Sequence, residues 1–485
     1  MKEVIFFIAI LLLIGVFSCK DKDEEPLGDP YLEFVSPADA NVLVNSDGSF
    51  SYPLMVTLKT NREVLITGID SSRNNTANWI NVYSSELQNG TVNLRILVES
   101  TFIKRAATIT IVTKPKNDED IKQATLTISL RQSTINLTSG TLSDYGKLLY
   151  LIEKIDIDGK IDARDIQYMY QDMPNLKEIN LRNVAIVAYS GTEGTVSEST
   201  VLYPANEMPE LSFCYVLNIG GKEGLSSIIL PTNLASIGKG AFSDCGLEKI
   251  DIPDNVISIG ANAFSGCSKL SSVNLPANLK SIEEGAFGGC GKLASINLPD
   301  NLTLIQDGTF GSCSKLSSVD FPSSLISIGE AAFRYTNLQT LNFPTGLISI
   351  ESWAFNACHS LNSISFPRGL ISIGNNAFSD CTKLTELNLP DGLTMIGSSS
   401  FEYCNELKTV TFPSSLTSIG SHAFNGCFNL EEIRCYSENP ANINMSGAIF
   451  SDAIKSTCIL KVPAVAIEFY KTAYVWKDFK NIQAL

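Results

Sequence analysis

A repeat of 22 or 23 residues runs through the second half of the chain. A proline column and a phenylalanine column both keep these steps through consecutive units. The phenylalanines are Phe242, Phe264, Phe287, Phe310, Phe333, Phe355, Phe378, Phe401 and Phe424. A unit this short cannot bury its own apolar residues, whereas stacking on its neighbours joins those residues into one continuous core. The repeat therefore predicts a solenoid.

The unit Leu270–Cys290 indicates which side chains enter that core. Val273 and Leu275 predict a short strand, which Pro276 ends because proline lacks the N–H that a ladder would use. Phe287 has the size to fill the width of the core. Residues that alternate with the buried ones on each strand must then face solvent, on the concave side of the solenoid.

We call these solvent-facing strand positions the first-strand face. The face is small and polar in its middle, carries charge at both ends and has no aromatic residue. Its candidate ligand-binding residues are Lys249, Asp251, Asn274, Asn297, Asp320, Asn342, Ser365, Glu386, Asn388, Thr411, Glu432 and Arg434. Without aromatic rings for sugar stacking, the face favours hydrogen bonding to a protein or an extended polymer. The alternative is that it serves solubility alone.

The signature Leu-Pro…Ile-Gly-x-x-Ala-Phe-x-x-Cys resembles the BspA-type leucine-rich repeat family. The resemblance spans residues 225–434 as nine regular repeats, with Thr336 as the one departure from the cysteine column. It implies a leucine-rich repeat solenoid with divergent N-terminal repeats at 136–224 and a C-terminal capping region at 435–485. It also implies a surface protein that binds host matrix proteins or mucin-type glycoconjugates.

Residues 31–135 show several short β-branched or alternating runs separated by turn residues, which predict an antiparallel β-sandwich. The stretches Trp79-Ile80-Asn81-Val82 and Asn89-Gly90-Thr91-Val92, with 105–111 and 130–132, resemble the BACON family. The resemblance implies an immunoglobulin-like sandwich that either binds glycans or acts as a spacer. Trp79 is accordingly either a glycan contact or a core residue.

The first 30 residues predict export and a lipid anchor. The apolar run 4–17 is too short to span a membrane and is typical of a signal peptide. Its end at Cys19 resembles a bacterial lipobox, which predicts a signal peptide at 1–18 and lipidation of Cys19; the alternative is an ordinary signal peptide. The charged tether 19–30 resembles the signal that sends lipoproteins to the outer face of the outer membrane, so we expect cell-surface display.

The cysteines predict thiols rather than disulfides. Eight of the twelve occupy one repeat position, which favours a column of small buried fillers. Cys435 and Cys458 are the one pair worth testing as a bridge. No C-x-x-C cluster indicates a metal site, and we expect His359 and His422 to lie on the surface.

The segment Asp156–Asp165 has aspartates in a pattern that superficially suggests a calcium loop. Its glycine is fourth rather than sixth, however, and its twelfth residue is Gln167 rather than a bidentate glutamate. We predict instead a strand, a turn at Asp158-Gly159, and a helix capped by Asp162 and running through Tyr170.

Composition and motifs argue against enzymatic and nucleic-acid functions. A formal net charge of −15 disfavours nucleic acid as a partner, and two histidines leave little for catalysis. We predict no cofactor, no metal and no catalytic residue. A glycan hydrolase would need two carboxylates about 5–10 Å apart, and Asp251, Asp320 and Glu386 fall on strands too distant for that.

These observations predict a non-enzymatic, lipid-anchored surface protein. Its partners are expected to be an extracellular protein or glycan and, through the anchor, the outer membrane. The rival interpretation is a structural scaffold or spacer in a surface complex.

Overall fold

The computed structural model describes residues 135–150, 152–196, 200–216 and 219–485, together with the backbone of seven strands between residues 32 and 130. The chain forms two compact units. One comprises residues 1–158 with 172–176, and the other comprises residues 159–171 with 177–485.

The N-terminal strands form two antiparallel sheets. One sheet has the spatial order Leu32–Pro37, Leu54–Thr60, Thr91–Val98 and Ile80–Ser84. The other has the order Val64–Ser71, Arg105–Thr113 and Gln123–Leu130. The packing of a BACON-like sandwich lies outside the described residues, as do Trp79 and Cys19, so those three interpretations stay predictions.

The larger unit is a solenoid, as the repeat predicted. Each repeat contributes a first strand that runs parallel to those of its neighbours, and adjacent first strands pair, for example Lys249 with Ser272. The pairing forms two-stranded sheets from Lys249–Asp251 to Ser363–Ser365 and one five-stranded sheet from Glu386–Asn388 onward. The first strands are Ser227–Ile229, Lys249–Asp251, Ser272–Asn274, Ser295–Asn297, Ser318–Asp320, Thr340–Asn342, Ser363–Ser365, Glu386–Asn388, Thr409–Phe412 and Glu432–Cys435. Parallel stacking places equivalent residues of successive repeats next to each other, about 4.8 Å apart.

A second, shorter strand in each repeat builds another parallel ladder, for example with Ser327 opposite Ser349. These strands are Glu207–Met208, Ser236–Ile237, Ser258–Ile259, Ser281–Ile282, Leu304–Ile305, Ser327–Ile328, Ser349–Ile350, Ser372–Ile373, Met395–Ile396, Ser418–Ile419 and Asn444–Met445. The isoleucine of each regular strand is buried, so the two ladders enclose the core between them.

The phenylalanine column forms the centre of this core. All nine predicted rings are fully buried and stack at centroid distances of 5.2–5.7 Å. The stack is longer than predicted, because Phe213 adds a ring before Phe242 and Phe450 adds one after Phe424, each at 5.6 Å. Stacked aromatic pairs contribute about 0.5–1.5 kcal/mol beyond their burial, so the column couples each repeat to its neighbours.

The remaining described elements precede and follow the regular repeats. The further strands are Ile135–Leu137, Lys154–Ile161, Glu178–Ile186, Tyr189–Gly191, Val201–Tyr203, Cys214–Val216, Ile219–Gly221, Ile459–Val462 and Asn481–Ala484. The α-helices are Ala163–Gln171, Asp452–Thr457 and Ile467–Tyr470, and the 3-10 helices are Leu142–Leu149, Pro440–Asn442, Ala464–Ala466 and Trp476–Asp478.

The segment with the calcium-like aspartates folds largely as predicted, with one correction. Asp162 caps the helix Ala163–Gln171, because its Oδ1 accepts a hydrogen bond from the Arg164 amide at 2.9 Å. The turn predicted at Asp158-Gly159 is wrong. Gly159 adopts a φ of +91°, but the strand Lys154–Ile161 continues through it without reversing.

The C-terminal region extends the first-strand ladder. Strand Ile459–Val462 pairs in parallel with Glu432–Cys435, and Asn481–Ala484 pairs with it in turn. Trp476 is fully buried beside the last rings of the column, 6.4 Å from the Phe412 centroid and 6.1 Å from that of Phe450. This aromatic cluster covers the end of the phenylalanine stack.

Candidate ligand-binding surfaces of the solenoid

The first-strand face is solvent-facing, as the alternation of residues predicted. In the strand Lys249–Asp251 the central Ile250 is 2% exposed, while Lys249 and Asp251 are both exposed. The same pattern recurs along the ladder, and the exposed candidates are Lys249, Asp251, Asn274, Asn297, Asp320, Asn342, Ser365, Glu386, Asn388 and Arg434. Thr411 and Glu432 are half-buried. The strands therefore bring the candidates together as one polar surface.

The charged end of this face is an ion-pair network rather than a set of separate charges. Glu432 accepts from Nε of Arg434 at 2.6 Å and from Nζ of Lys461 at 2.7 Å. The Lys461 ammonium, and then Arg434, lower the pKa of the Glu432 carboxyl. Lys461 belongs to the region after the regular repeats, and its strand reaches Glu432 only because the ladder continues there.

Asp251, Asp320 and Glu386 do not form a hydrolytic pair with one another. Asp251 and Asp320 lie on first strands three turns apart, as do Asp320 and Glu386. Three rungs of roughly 4.8 Å correspond to about 14 Å, beyond the spacing of paired glycosidase carboxylates. These residues are consequently surface charges in the geometry that the strands impose.

The cysteine column consists of free, buried thiols in the described part of the chain. Each sulfur lies against the phenylalanine carbonyl of the preceding repeat, for example Cys267 Sγ at 3.0 Å from Phe242 O and Cys290 Sγ at 3.3 Å from Phe264 O. Burial raises the pKa of Cys267 and Cys313 to about 12. Thiols at such positions are poor nucleophiles at neutral pH, so the column is structural.

Cys435 and Cys458, the pair considered for a bridge, are also free thiols in the structure. The hydroxyl of Tyr470 donates to Sγ of Cys435 at 3.1 Å, and burial raises the pKa of both thiols. Their environments are therefore those of separate buried side chains.

The third side of each repeat, around the column phenylalanine, is named here the turn face. It carries a cluster that was not apparent from the repeat pattern. The Arg334 guanidinium lies 4.5 Å from the Tyr335 ring centroid and 4.9 Å from that of Trp353. Arg334 also donates from Nε to Asn356 Oδ1 at 3.0 Å and from Nη2 to the Tyr335 hydroxyl at 2.8 Å. We call these four residues the Arg334 cluster.

Exposed apolar residues lie at the start of the second strand, or directly before it, in successive repeats, which the predictions did not include. They are Leu304, Ile326, Ile348, Ile371 and Met395, each between 37% and 49% exposed. His359 and His422 are exposed, as predicted.

No helix among the described residues is long and apolar enough to cross a bilayer. No group of three or more histidine, cysteine or acidic side chains in the same residues has the arrangement of a metal site.

The ladders, the phenylalanine stack and the cysteine column together define a leucine-rich repeat solenoid. Residues 221–339 and 326–453 match the family model described as a BspA type leucine rich repeat region. The match confirms the BspA-like character of the repeats over just under half of the chain. No curated protein matches the sequence.

Several solved structures are similar to this chain. A leucine-rich repeat protein from Bacteroides ovatus is 24% identical, with 77% of this chain and 97% of that one covered and a TM-score of 0.47. A leucine rich cell surface protein from Faecalibacterium prausnitzii is 23% identical, with 63% and 87% covered and a TM-score of 0.39. The pneumococcal vaccine antigen PcpA is 19% identical, with 69% and 79% covered and a TM-score of 0.35.

Proposed function

We propose that this chain is a non-enzymatic cell-surface lipoprotein whose solenoid binds a macromolecular ligand, either a host protein or a mucin-type glycoconjugate. The observation that carries the proposal is the first-strand face. It is a row of exposed, mostly polar side chains on parallel first strands, which pair two by two along most of the solenoid. A rigid ladder presents its hydrogen-bonding groups to a ligand at little entropic cost.

The rest of the proposal rests on the N-terminal sequence. Cys19 follows a signal-peptide-like run and is the proposed lipid acceptor, which anchors the protein in the outer membrane for surface display. The BACON-like region 31–135 is then a spacer between anchor and solenoid, or a second binding module with Trp79 as its glycan contact. Radiolabelled palmitate should be incorporated into the wild-type protein and not into a Cys19→Ser variant.

Binding is tested with the protein lacking residues 1–19 on arrayed mucins, glycans and matrix proteins. A saturable hit should weaken at least tenfold in an Asn297→Arg/Asn342→Arg variant, because two long cations then project from the middle of the face. Asn278→Arg, on an exposed turn outside the face, is the matched control and should leave binding unchanged.

The rival function is a scaffold in an envelope complex of the same cell. This rival would be favoured if no array showed binding and if cross-linking on cells recovered only proteins of the same cell. A hit that both arginine variants leave intact would place binding elsewhere on the chain.

A further inference from the structure

On the turn face, the backbone adopts a left-handed conformation at positions where some of the residues are strained by it. In each regular repeat, the residues two before and two after the column phenylalanine have a positive φ. Glycine adopts this conformation without strain, and asparagine or aspartate does so at small cost. Gly285, Gly289, Gly308 and Asp244 are residues of that kind.

Three large aromatic residues occupy these left-handed positions. Tyr335, Trp353 and Tyr403 have φ values of 61°, 63° and 59°. An L-residue with a bulky side chain costs about 1–2 kcal/mol there relative to glycine. The fold does not require rings at these positions, because equivalent positions in other repeats hold glycine, asparagine or serine. Strain that the fold does not need points to a function for the side chains.

Around Arg334 the strained rings are organised into a site. Asn356, only 4% exposed, accepts from Arg334 and donates from Nδ2 to the Ser379 carbonyl at 3.3 Å, so it holds the guanidinium in place. Tyr335 is 48% exposed and Trp353 is half-buried. The surface therefore presents a half-buried, hydrogen-bonded cation in contact with two rings that are partly open to solvent.

The preceding turns carry a row of cations on a chain of net charge −15. Lys269, Lys292 and Lys315 each come five residues after a column phenylalanine, on three consecutive repeats that lead to Arg334. All three are exposed, and none has an ion-pair partner among the described residues. Neighbouring rungs are about 4.8 Å apart, so the row offers regularly spaced positive charge. Exposed carboxylates of Glu284, Asp307 and Glu330 form a second row, three residues before the column phenylalanine.

Two consecutive repeats have glycine, and therefore no side chain, directly after the column phenylalanine. Gly288 and Gly311 occupy the position directly after the column phenylalanine, where other repeats hold serine, asparagine, Arg334 or Glu402. Their φ angles are not positive, although a Cβ would lie 3.3 Å from the nearest backbone carbonyl oxygen at Gly288 and 3.2 Å from it at Gly311. Both residues are partly exposed. Because these two residues have no side chains, an extended polymer can approach the backbone closely there.

We infer that the turn face binds an acidic glycan, with a sugar ring stacked on Tyr335 and Trp353 and its carboxylate or sulfate groups paired with Arg334 and the lysine row. Aromatic rings that pack against an apolar ring face, next to a fixed guanidinium and spaced ammonium groups, match a polymer of anionic sugars. This site is separate from the first-strand face, so its failure would leave the proposed function standing.

The chain supplies its own matched control in Tyr403. This residue has the same repeat position, nearly the same φ and nearly the same exposure, 45%, as Tyr335. Its neighbour, however, is Glu402 instead of an arginine, and that carboxylate accepts from Asn425 Nδ2 at 2.9 Å. An anionic ligand should therefore avoid Tyr403 and prefer Tyr335.

The test uses the protein lacking residues 1–19, titrated by calorimetry with chondroitin sulfate oligosaccharide, with neutral dextran and with polyglutamate. We expect chondroitin sulfate alone to bind measurably, with an affinity that falls as NaCl rises. Tyr335→Asn, Trp353→Asn and Arg334→Ser should each weaken binding at least tenfold, and Tyr403→Asn should change it by less than twofold. Because asparagine relieves the backbone strain, circular dichroism should show the asparagine variants folded and no less stable.

Three outcomes would overturn the inference. One is the absence of chondroitin sulfate binding, and another is equal loss in the Tyr335 and Tyr403 variants. The third is polyglutamate binding as tight as that of chondroitin sulfate, which would show a charge effect without sugar stacking. If the array of mucins and matrix proteins still gave a hit sensitive to Asn297→Arg/Asn342→Arg, only this second site would be lost.

Discussion

The sulfur of Cys290 lies 3.3 Å from the carbonyl oxygen of Phe264, one repeat earlier in the solenoid. The same contact links Cys313 to Phe287 at 3.2 Å and Cys427 to Phe401 at 3.2 Å. The thiol column therefore joins each repeat to the one before it, alongside the stacked rings. Where Thr336 replaces cysteine, its hydroxyl donates to the Phe333 carbonyl at 2.8 Å and also contacts Cys358 Sγ at 3.2 Å.

This arrangement predicts a packing role for the thiols. The Phe264 carbonyl also accepts from the Cys267 amide at 3.2 Å, so Cys290→Ala removes mainly a buried sulfur and leaves a small cavity. We expect a loss of about 1–2 kcal/mol in the free energy of unfolding. Thr336→Cys should change it by less than about 0.5 kcal/mol, because the column already has room for sulfur. Urea unfolding measures both, and a neutral Cys290→Ala would contradict the packing role.

The buried thiols also predict a pH dependence of stability. Burial raises the pKa from 9.0 to about 12 for Cys267 and Cys313, and to about 11 for Cys358. Between pH 9 and 11 the unfolded chain loses thiol protons that the folded chain retains. Stability from these groups is therefore complete below pH 9 and falls as pH rises above it.

The check compares urea midpoints at pH 8 and pH 10.5 for the wild type and for Cys267→Ala/Cys313→Ala/Cys358→Ala. We expect a smaller fall in the triple variant. Lys222, whose burial lowers its pKa to about 8, gives the opposite trend but equally in both proteins. Equal falls would mean that the thiols do not titrate differently in the folded state.

Two adjacent alanines give a test of the left-handed turn positions. Ala331 has a φ of 53°, whereas its neighbour Ala332 is fully buried and does not have a positive φ. Ala331→Gly should raise the free energy of unfolding by about 0.5–1 kcal/mol, because glycine removes the Cβ strain. Ala332→Gly should lower it by a similar amount or more. We therefore expect the two substitutions to change the free energy of unfolding in opposite directions. A decrease for both variants would refute the strain argument.

The regular part of the fold was predictable because its period repeats the same residue at the same place. The column phenylalanines, the column cysteines and the exposure of Asn274 or Asn342 all follow from that register. Phe213 and Phe450 were missed because the spacing to the neighbouring column ring widens to 29 and 26 residues. Their rings nevertheless stack like the others, since the intervening loops absorb the extra length.

The Arg334 cluster was not predictable for a different reason. Arg334 and Trp353 are 19 residues apart and occupy different repeat positions, so no column links them. Only the stacking of one turn on the next brings the two side chains together. The strain at Tyr335 and Trp353 was equally hidden, because the residues at those positions vary widely and the positive φ is visible only in the backbone.

The last prediction concerns Trp476 at the end of the aromatic stack. Its indole Nε1–H has no hydrogen-bond partner among the described residues, although the side chain is fully buried. A buried donor without a partner costs about 1–3 kcal/mol, which offsets part of the benefit of the large ring. Trp476→Phe removes that donor while keeping ring contacts toward Tyr470 and Phe450, so we expect a change within about 1 kcal/mol. Trp476→Ala, which opens a cavity, should lose about 3–5 kcal/mol. Thermal and urea unfolding of the two variants separate the cost of the unpaired Nε1–H from the contribution of ring packing. A phenylalanine variant as unstable as the alanine variant would show that the indole nitrogen has a hydrogen-bond partner.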